Sequence, residues 1–310
     1  MATSINRKDL VSLYDLTVEE IYTIFRLAET LKMDNLSKKP HHLLKGKTLG
    51  MIFQKPSTRT RVSFEVGIYQ LGGSALYLSG NDLQLNRGET IADTARTLSR
   101  YVDGIMARVF SHNDIINLAK YSSVPVINGL SDFSHPCQGL TDFYSIYEKR
   151  HSLSNLKLAY VGDGNNVAHS LIFGAAKLGI NIALACPAGY EPNPDVIEKA
   201  KKDAYNTGAY IQVTHDPEAA VISADIIYTD VWTSMGQETE KDKRLAMFKA
   251  YQINNELIKK ANPDYLFMHC LPAHRGEEVT DEIIDGPNSI CFDQAENRLH
   301  IQKAIMALLM

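Results

Sequence analysis

The sequence predicts an α/β chain of two doubly wound domains with mostly parallel central sheets and an active site in the cleft between them. Three observations predict it. Apolar runs of strand length alternate with segments of helical periodicity, stop at a polar joint, His151-Ser152-Leu153-Ser154-Asn155, and then restart. The length of 310 residues suits two domains, each with its own core. The segments richest in polar chemistry all follow predicted strand ends, and open α/β sheets bind ligands outside the carboxyl ends of their strands.

Each element has a local reason. Thr17 caps a first helix, Glu20 completes a capping box, and periodicity carries the helix to about Leu31. Thr48-Leu49-Gly50-Met51-Ile52-Phe53 reads as a buried strand. Ser57 caps the helix after it, whose apolar set Val62, Phe64, Val66, Ile68, Tyr69 and Leu71 ends at Gly72-Gly73. A strand over 75–78, a polar loop over 79–89, a helix over 90–101 and a strand ending near Arg108 follow. A helix over 113–121, a strand over 124–127 and a loop over 128–134 lead to His135-Pro136-Cys137-Gln138, which opens a helix to about Arg150. Beyond the joint, strands at 157–161, 181–185, 210–213, 225–229 and 265–268 alternate with helices at 166–178, 194–207 and 240–251, and an amphipathic helix over 294–310 closes the chain.

Bulk properties exclude several classes. The net charge of −4 gives no reason to expect nucleic acid or an anionic membrane as partner. Cys137, Cys186, Cys270 and Cys291 are widely spaced with no CxxC pair, which argues against a disulfide scaffold or a zinc site and for a reducing cytoplasm. The N-terminal segment has no signal-type apolar region, and no run approaches transmembrane length.

Ser57-Thr58-Arg59-Thr60-Arg61 puts hydroxyls and guanidinium groups around a helix N-terminus, whose unpaired N–H groups and positive dipole end favour an anion; a phosphate cradle is the reading, a merely capped helix the plainer one. Arg108 ends an apolar strand and must meet an anion, a polarised oxygen or a structural acid. His135 could donate to a carbonyl oxygen and Gln138 could read an amide. Gly162-Asp163-Gly164-Asn165-Asn166-Val167 imitates a dinucleotide fingerprint, but Val167 replaces its third glycine and Ala185-Cys186-Pro187 supplies no acid for a ribose. It reads better as a tight turn exposing Asn165 and Asn166 to a small polar ligand. Asp230 suits a substrate ammonium, and Ser234-Met235-Gly236 reads as a loop able to close on a ligand. Cys270, in His269-Cys270-Leu271-Pro272, is a thiol beside which the sequence places no base; Arg298 begins the last helix.

Together, Ser57-Thr58-Arg59-Thr60, Gln84, Arg108, His135-Pro136-Cys137-Gln138, Asp230 with Ser234-Met235-Gly236, His269-Cys270-Leu271-Pro272 and Arg298 resemble the ornithine branch of the aspartate/ornithine carbamoyltransferase family, in order and approximate spacing over essentially the whole chain. The resemblance implies a carbamoyl phosphate domain over 1–150, an ornithine domain over 151–293, and a last helix, about 294–310, packed back on the first. It implies transfer of a carbamoyl group to the δ-amine of ornithine, giving citrulline and phosphate, with no metal and no cofactor, in a homotrimer with shared sites. Carried over, Ser57, Thr58, Arg59 and Thr60 hold the phosphate, and Gln84 reaches the phosphate of a neighbouring subunit. Arg108, His135 and Thr60 polarise the carbamoyl oxygen, Gln138 and the Leu271 carbonyl take the carbamoyl NH₂, and Arg298 points at the same group. Asn166, Asp230, Ser234 and Met235 bind the amino-acid end of ornithine; Asp230 and Cys270 orient its side-chain amine. Transfer to aspartate, putrescine or acetylornithine, or a non-catalytic sensor of a phosphate metabolite, are the alternatives. An oxidoreductase is disfavoured by Val167 and the missing acid.

Overall fold

The computed structural model describes residues 5–84, 88–233 and 238–310. The chain divides into two compact units, Met1–Thr141 with Glu296–Met310, and Asp142–Ala295. The division falls inside a helix, Pro136–Arg150, before the polar joint at 151–155.

In the first unit, β1 (Thr48–Phe53), β2 (Ser74–Ser79), β3 (Gly104–Arg108) and β4 (Val126–Leu130) form a sheet in the order β2-β1-β3-β4. Every neighbouring pair is parallel. The chain places β2 on one side of β1 and then returns to place β3 on the other, so the order reverses between β1 and β3. That crevice is the predicted ligand position in an open parallel sheet. The helices are α1 (Val18–Leu36), α2 (Thr58–Gln70), α3 (Ile91–Leu98) and α4 (His112–Tyr121), with α5 (Pro136–Arg150) starting here and ending in the other unit. Thr17 and Glu20 make the expected capping box, but α1 runs past Leu31 to Leu36.

β4 lies two residues later than its apolar run suggests. The Ser122 hydroxyl accepts from the Val124 N–H and donates to the Val124 carbonyl, holding that stretch as a turn, and Pro125 has no N–H to give a ladder. Asn128 is tolerated in the buried strand because its Nδ2 donates to the Val11 carbonyl at 2.8 Å. One side of the sheet buries Ile52, Val102, Ile105, Ala107, Ile115 and Val126 together.

In the second unit, β5 (Lys157–Val161), β6 (Asn181–Ala185), β7 (Ile211–Thr214), β8 (Ile226–Thr229) and β9 (Leu266–His269) form a parallel sheet in the order β7-β6-β5-β8-β9. The order reverses between β5 and β8. The helices are α6 (Asn166–Leu178), α7 (Pro194–Thr207), α8 (Pro217–Val221), α9 (Lys241–Phe248), α10 (Asn255–Ile258) and α11 (Asp281–Ile284). The closing α12 (Cys291–Leu309) ends in the first unit. α9 is shorter than the helix expected over 240–251, because its last turn tightens into a 3₁₀ helix at Lys249–Tyr251. α6 packs so closely on α5 that a Cβ at Gly174 would lie 2.0 Å from the Phe143 ring. Ala159, Val161, Ala183, Ile227 and Phe267 share a buried core with Val221 of α8, Leu257 of α10 and Ile283 of α11. Among the described residues no helix is long and apolar enough to cross a membrane.

Candidate active site

The predicted site residues fall into two groups, each at the reversal of its own sheet. In the first unit, β1 and β3 run in register to their last residues, Phe53 opposite Arg108. The Arg108 carbonyl accepts the Gln54 N–H at 2.9 Å, so the chain leaving β1 stays against the end of β3. Ser57 caps α2: its Oγ accepts the Thr60 N–H at 3.3 Å and donates to the Thr60 Oγ1 at 3.1 Å. Arg298, on α12, donates from Nη2 to that same Thr60 Oγ1 at 3.1 Å and from Nη1 to the Gln138 Oε1 at 2.9 Å. Thr60, Gln138, Arg298, Arg108 and His135 are all buried, whereas Thr58 is exposed and Arg59 half-buried. The sequence therefore spreads this group over α2, β3, α5 and α12, and the fold brings it together.

The electrostatics here are cationic. Burial first, then the Arg298 and Arg108 charges, hold the His135 imidazole well below its ordinary value. His135 is thus neutral near pH 7, able to give one N–H without being an acid. Burial pushes the Cys137 thiol up to about 12, so the cysteine of the His-Pro-Cys-Gln run is no nucleophile. Gln84 sits on the surface after β2.

In the second unit, Asp230 follows β8 and Cys270 follows β9, one step beyond the paired Thr229 and His269. The Cys270 thiol donates to Asp230 Oδ1 at 3.0 Å, and Asn165 Nδ2 donates to Asp230 Oδ2 at 2.8 Å, spanning the reversal between β5 and β8. Asn165 also caps α6, its Oδ1 accepting the Val167 and Ala168 N–H groups. A side chain thus occupies the helix N-terminus where a dinucleotide would set its pyrophosphate, which strengthens the rejection of that fingerprint. Asn166 is the first residue of α6, half-buried beside this capped turn. The turn carrying Leu271 is held from below: His269 Nδ1 accepts the Leu271 N–H at 2.9 Å, so Nε2 carries the proton and donates to the buried Glu278 at 3.1 Å. Leu271 itself takes a positive φ of 56°. Ser234 and Met235 lie outside the described residues.

This group is anionic. Burial, then the Asp230 and Asp163 charges, raise the Tyr160 hydroxyl well above its ordinary value. Asp163 is raised by burial against the pull of Arg244, which donates to it at 2.8 Å and to the Trp232 carbonyl at 2.9 Å. Asp230, His269 and Cys270 bring ligand-type atoms within 4.8 Å of one another. Both His269 nitrogens are already committed to hydrogen bonds, so the cluster reads as a positioning network rather than a metal centre. Asn165, expected to face a ligand, is instead committed to Asp230 and to the α6 cap, and the sequence carries no sign of the Arg244–Asp163 and His269–Glu278 pairs. An asparagine just before an apolar helix was the one available signal, and it marks a cap.

The carbamoyl-P binding domain model of the aspartate/ornithine carbamoyltransferases matches residues 8–148, and their Asp/Orn binding domain model matches residues 154–309. The chain is 64% identical over 310 residues to an ornithine carbamoyltransferase of Thermococcus kodakarensis, covering 100% of this chain and 98% of the relative. It is 60% identical over 310 residues to an anabolic ornithine carbamoyltransferase of Pyrococcus furiosus, with the same coverage. A solved ornithine carbamoyltransferase of P. furiosus superposes with a TM-score of 0.95 at 61% identity, covering 98% of this chain and 97% of that one. One from Thermus thermophilus does so at 0.88 and 42% identity, covering 98% and 99%. With both family models and full-length relatives matched, the chain belongs to the aspartate/ornithine carbamoyltransferase family.

Proposed function

We propose that this chain transfers the carbamoyl group of carbamoyl phosphate to the δ-amine of L-ornithine, giving L-citrulline and phosphate. The observation that carries the reading is full-length identity of 60% or more to relatives named for that reaction. The name of one of them, anabolic, favours the citrulline-forming direction, a step of arginine synthesis.

The chemistry needs an anion site, an oxyanion site and a way to present a neutral amine. The N-terminus of α2, with Ser57, Thr58, Arg59 and Thr60, supplies the first; its free N–H groups and positive dipole end favour phosphate. Arg108 and His135 donate to the carbamoyl oxygen as it becomes an oxyanion. A neutral His135 remains a donor throughout the working pH range. Gln138, its Oε1 held by Arg298, reads the carbamoyl NH₂ with the Leu271 carbonyl. Asn166, Asp230, Ser234 and Met235 hold the amino-acid end of ornithine. Asp230 and the Cys270 thiol orient the side-chain amine, which must shed a proton from a group whose ordinary pKa is about 10. The amine nitrogen attacks the carbamoyl carbon, the tetrahedral intermediate expels phosphate by breaking the C–O bond, and the amine proton leaves with the phosphate. No enzyme nucleophile is needed.

We assign a homotrimer in which Gln84 completes a neighbour's phosphate site. β2 is an edge strand with Leu76 and Tyr77 exposed, and Val62, Val66 and Tyr69 of α2 are exposed beside it. An apolar edge of this kind is a surface that a second copy would cover. Four free thiols fit a reducing cytoplasm.

The test is citrulline formation from carbamoyl phosphate and L-ornithine beside aspartate, putrescine and N-acetylornithine as acceptors. Turnover with ornithine alone is expected. Turnover with a different acceptor would overturn the assignment of Asp230, Ser234 and Met235, and saturable carbamoyl phosphate binding with no turnover would leave a sensor.

A further inference from the structure

β9 is an edge strand, and its outer N–H groups are buried, so each needs an acceptor. Phe267 donates to the Asn288 carbonyl at 2.8 Å. His269, two residues on, meets no backbone there. Its N–H goes at 3.1 Å to the side-chain Oε1 of Gln294 on α12. A backbone N–H can only donate, so this contact fixes which way the Gln294 amide points. Its Nε2 must then find an acceptor. It finds Asp142 Oδ1 at 2.6 Å and, at 3.2 Å, the Tyr228 hydroxyl, which donates in turn to Asp142 Oδ2 at 3.2 Å. Asp142, Tyr228 and Gln294 are each 1% exposed or less.

One carboxylate therefore ties two strand ends together. Tyr228 lies on β8 two residues before Asp230, and His269 lies on β9 immediately before Cys270. We propose that Asp142 and Gln294 are positioning residues that set the distance between Asp230 and Cys270, and so the presentation of the ornithine amine. The inference rests on the assignment of Asp230 and Cys270 to ornithine. Neither Asp142 nor Gln294 touches substrate in this account; both act through the strand ends they hold. The donor pattern requires Asp142 to accept twice, which an ionised carboxylate does and an asparagine cannot. Its partners can be exchanged, however. In Asp142→Asn with Gln294→Glu, the carboxylate moves to α12 and accepts both the His269 N–H and the amide N–H introduced on α5. The oxygen of that amide accepts from Tyr228. The charge and the number of donors are conserved, and only the 3.2 Å contact from position 294 to the Tyr228 hydroxyl is given up.

The experiment compares steady-state kinetics of Asp142→Asn, the double exchange, Tyr228→Phe and Asp230→Asn, with the alkylation rate of Cys270 as a second readout, the other three cysteines being buried. Asp142→Asn should lower kcat/KM for ornithine by roughly tenfold, less than Asp230→Asn because it acts through the strand ends, while leaving the KM for carbamoyl phosphate within about twofold. The double exchange should recover most of that loss. Tyr228→Phe should move the same parameter in the same direction by less, and stands as the readout if Asp142→Asn does not fold. Cys270 alkylation should change in Asp142→Asn and return in the double exchange. A loss in Asp142→Asn that scales only with folded protein, both KM values unchanged, would overturn the proposal. So would unchanged ornithine kinetics in Asp142→Asn or, if that variant is unfolded, in Tyr228→Phe, while Asp230→Asn shows its expected loss. Unchanged ornithine kinetics in Asp230→Asn itself would remove the site assignment first, and this inference with it.

Discussion

The two candidate site groups, one in each unit, are built alike and charged oppositely. Each lies where a parallel sheet reverses its strand order, between β1 and β3 in one unit and between β5 and β8 in the other. Each begins with a capped helix, Ser57 for α2 and Asn165 for α6. The buried titratable groups report the contrast. After burial, Arg298 and Arg108 are what depress His135. After burial, Asp230 and Asp163 are what raise Tyr160, and Asp142, Cys270 and Asp230 are what raise Tyr228. Ser57 takes one N–H of α2, that of Thr60, whereas Asn165 takes two of α6, those of Val167 and Ala168. Under the proposed function the cationic group takes the anionic donor and the anionic group the cationic acceptor.

The largest effect should come from Arg108. Arg108→Ala should lower kcat by roughly 10²–10³-fold, as loss of one oxyanion donor does, with melting temperature little changed. Steady-state kinetics on the folded variant check it, and near-normal turnover would remove Arg108 from the role. Asp230→Asn should act on the other half alone. Loss of a charge-assisted hydrogen bond of about 2 kcal/mol lowers kcat/KM for ornithine roughly 30-fold. An equal rise in the KM for carbamoyl phosphate would erase the division between the halves.

Much of this contrast was legible in the sequence because buried parallel strands are continuous apolar runs, and polar residues at their ends stand out against them. Arg108, Asp230 and Cys270 are visible for that reason. Ser57 is visible because a cap has a local signature. What the sequence hid is what depends on long-range contact. Asp142 and Gln294 sit inside helices with no motif around them, and only the fold reveals that one carboxylate joins two strand ends. α8, α10 and α11 hold five, four and four residues, too few for a helical period to register. β4 was displaced because a hydroxyl-closed turn and Pro125 override the apolar pattern of Val124.

A smaller effect sharpens the anion side. Ser57→Ala removes a cap and should cost about 1 kcal/mol of stability while raising the KM for carbamoyl phosphate more than that for ornithine. Chemical denaturation and kinetics read the two parts separately. The smallest effect concerns acid. Burial, then Lys303, Lys32 and His41, hold His300 down from 6.5 to about 3. Between those values the unfolded imidazole binds a proton that the folded one refuses. Its contribution to stability is therefore present above pH 6.5 and lost as pH falls toward about 3. Denaturation midpoints of the parent and His300→Gln at pH 7 and pH 5 should converge in the variant. An unchanged pH difference would assign the acid sensitivity elsewhere.

The division of labour is tested most directly by calorimetric titration of carbamoyl phosphate, without acceptor, into the parent, Arg108→Ala and Asp230→Asn. The account predicts an affinity in Asp230→Asn within about twofold of the parent and a loss of about tenfold or more in Arg108→Ala, the worth of a charge-assisted contact. A comparable loss in both variants would contradict it, since the donor would then be held by the anionic half as much as by the cationic one.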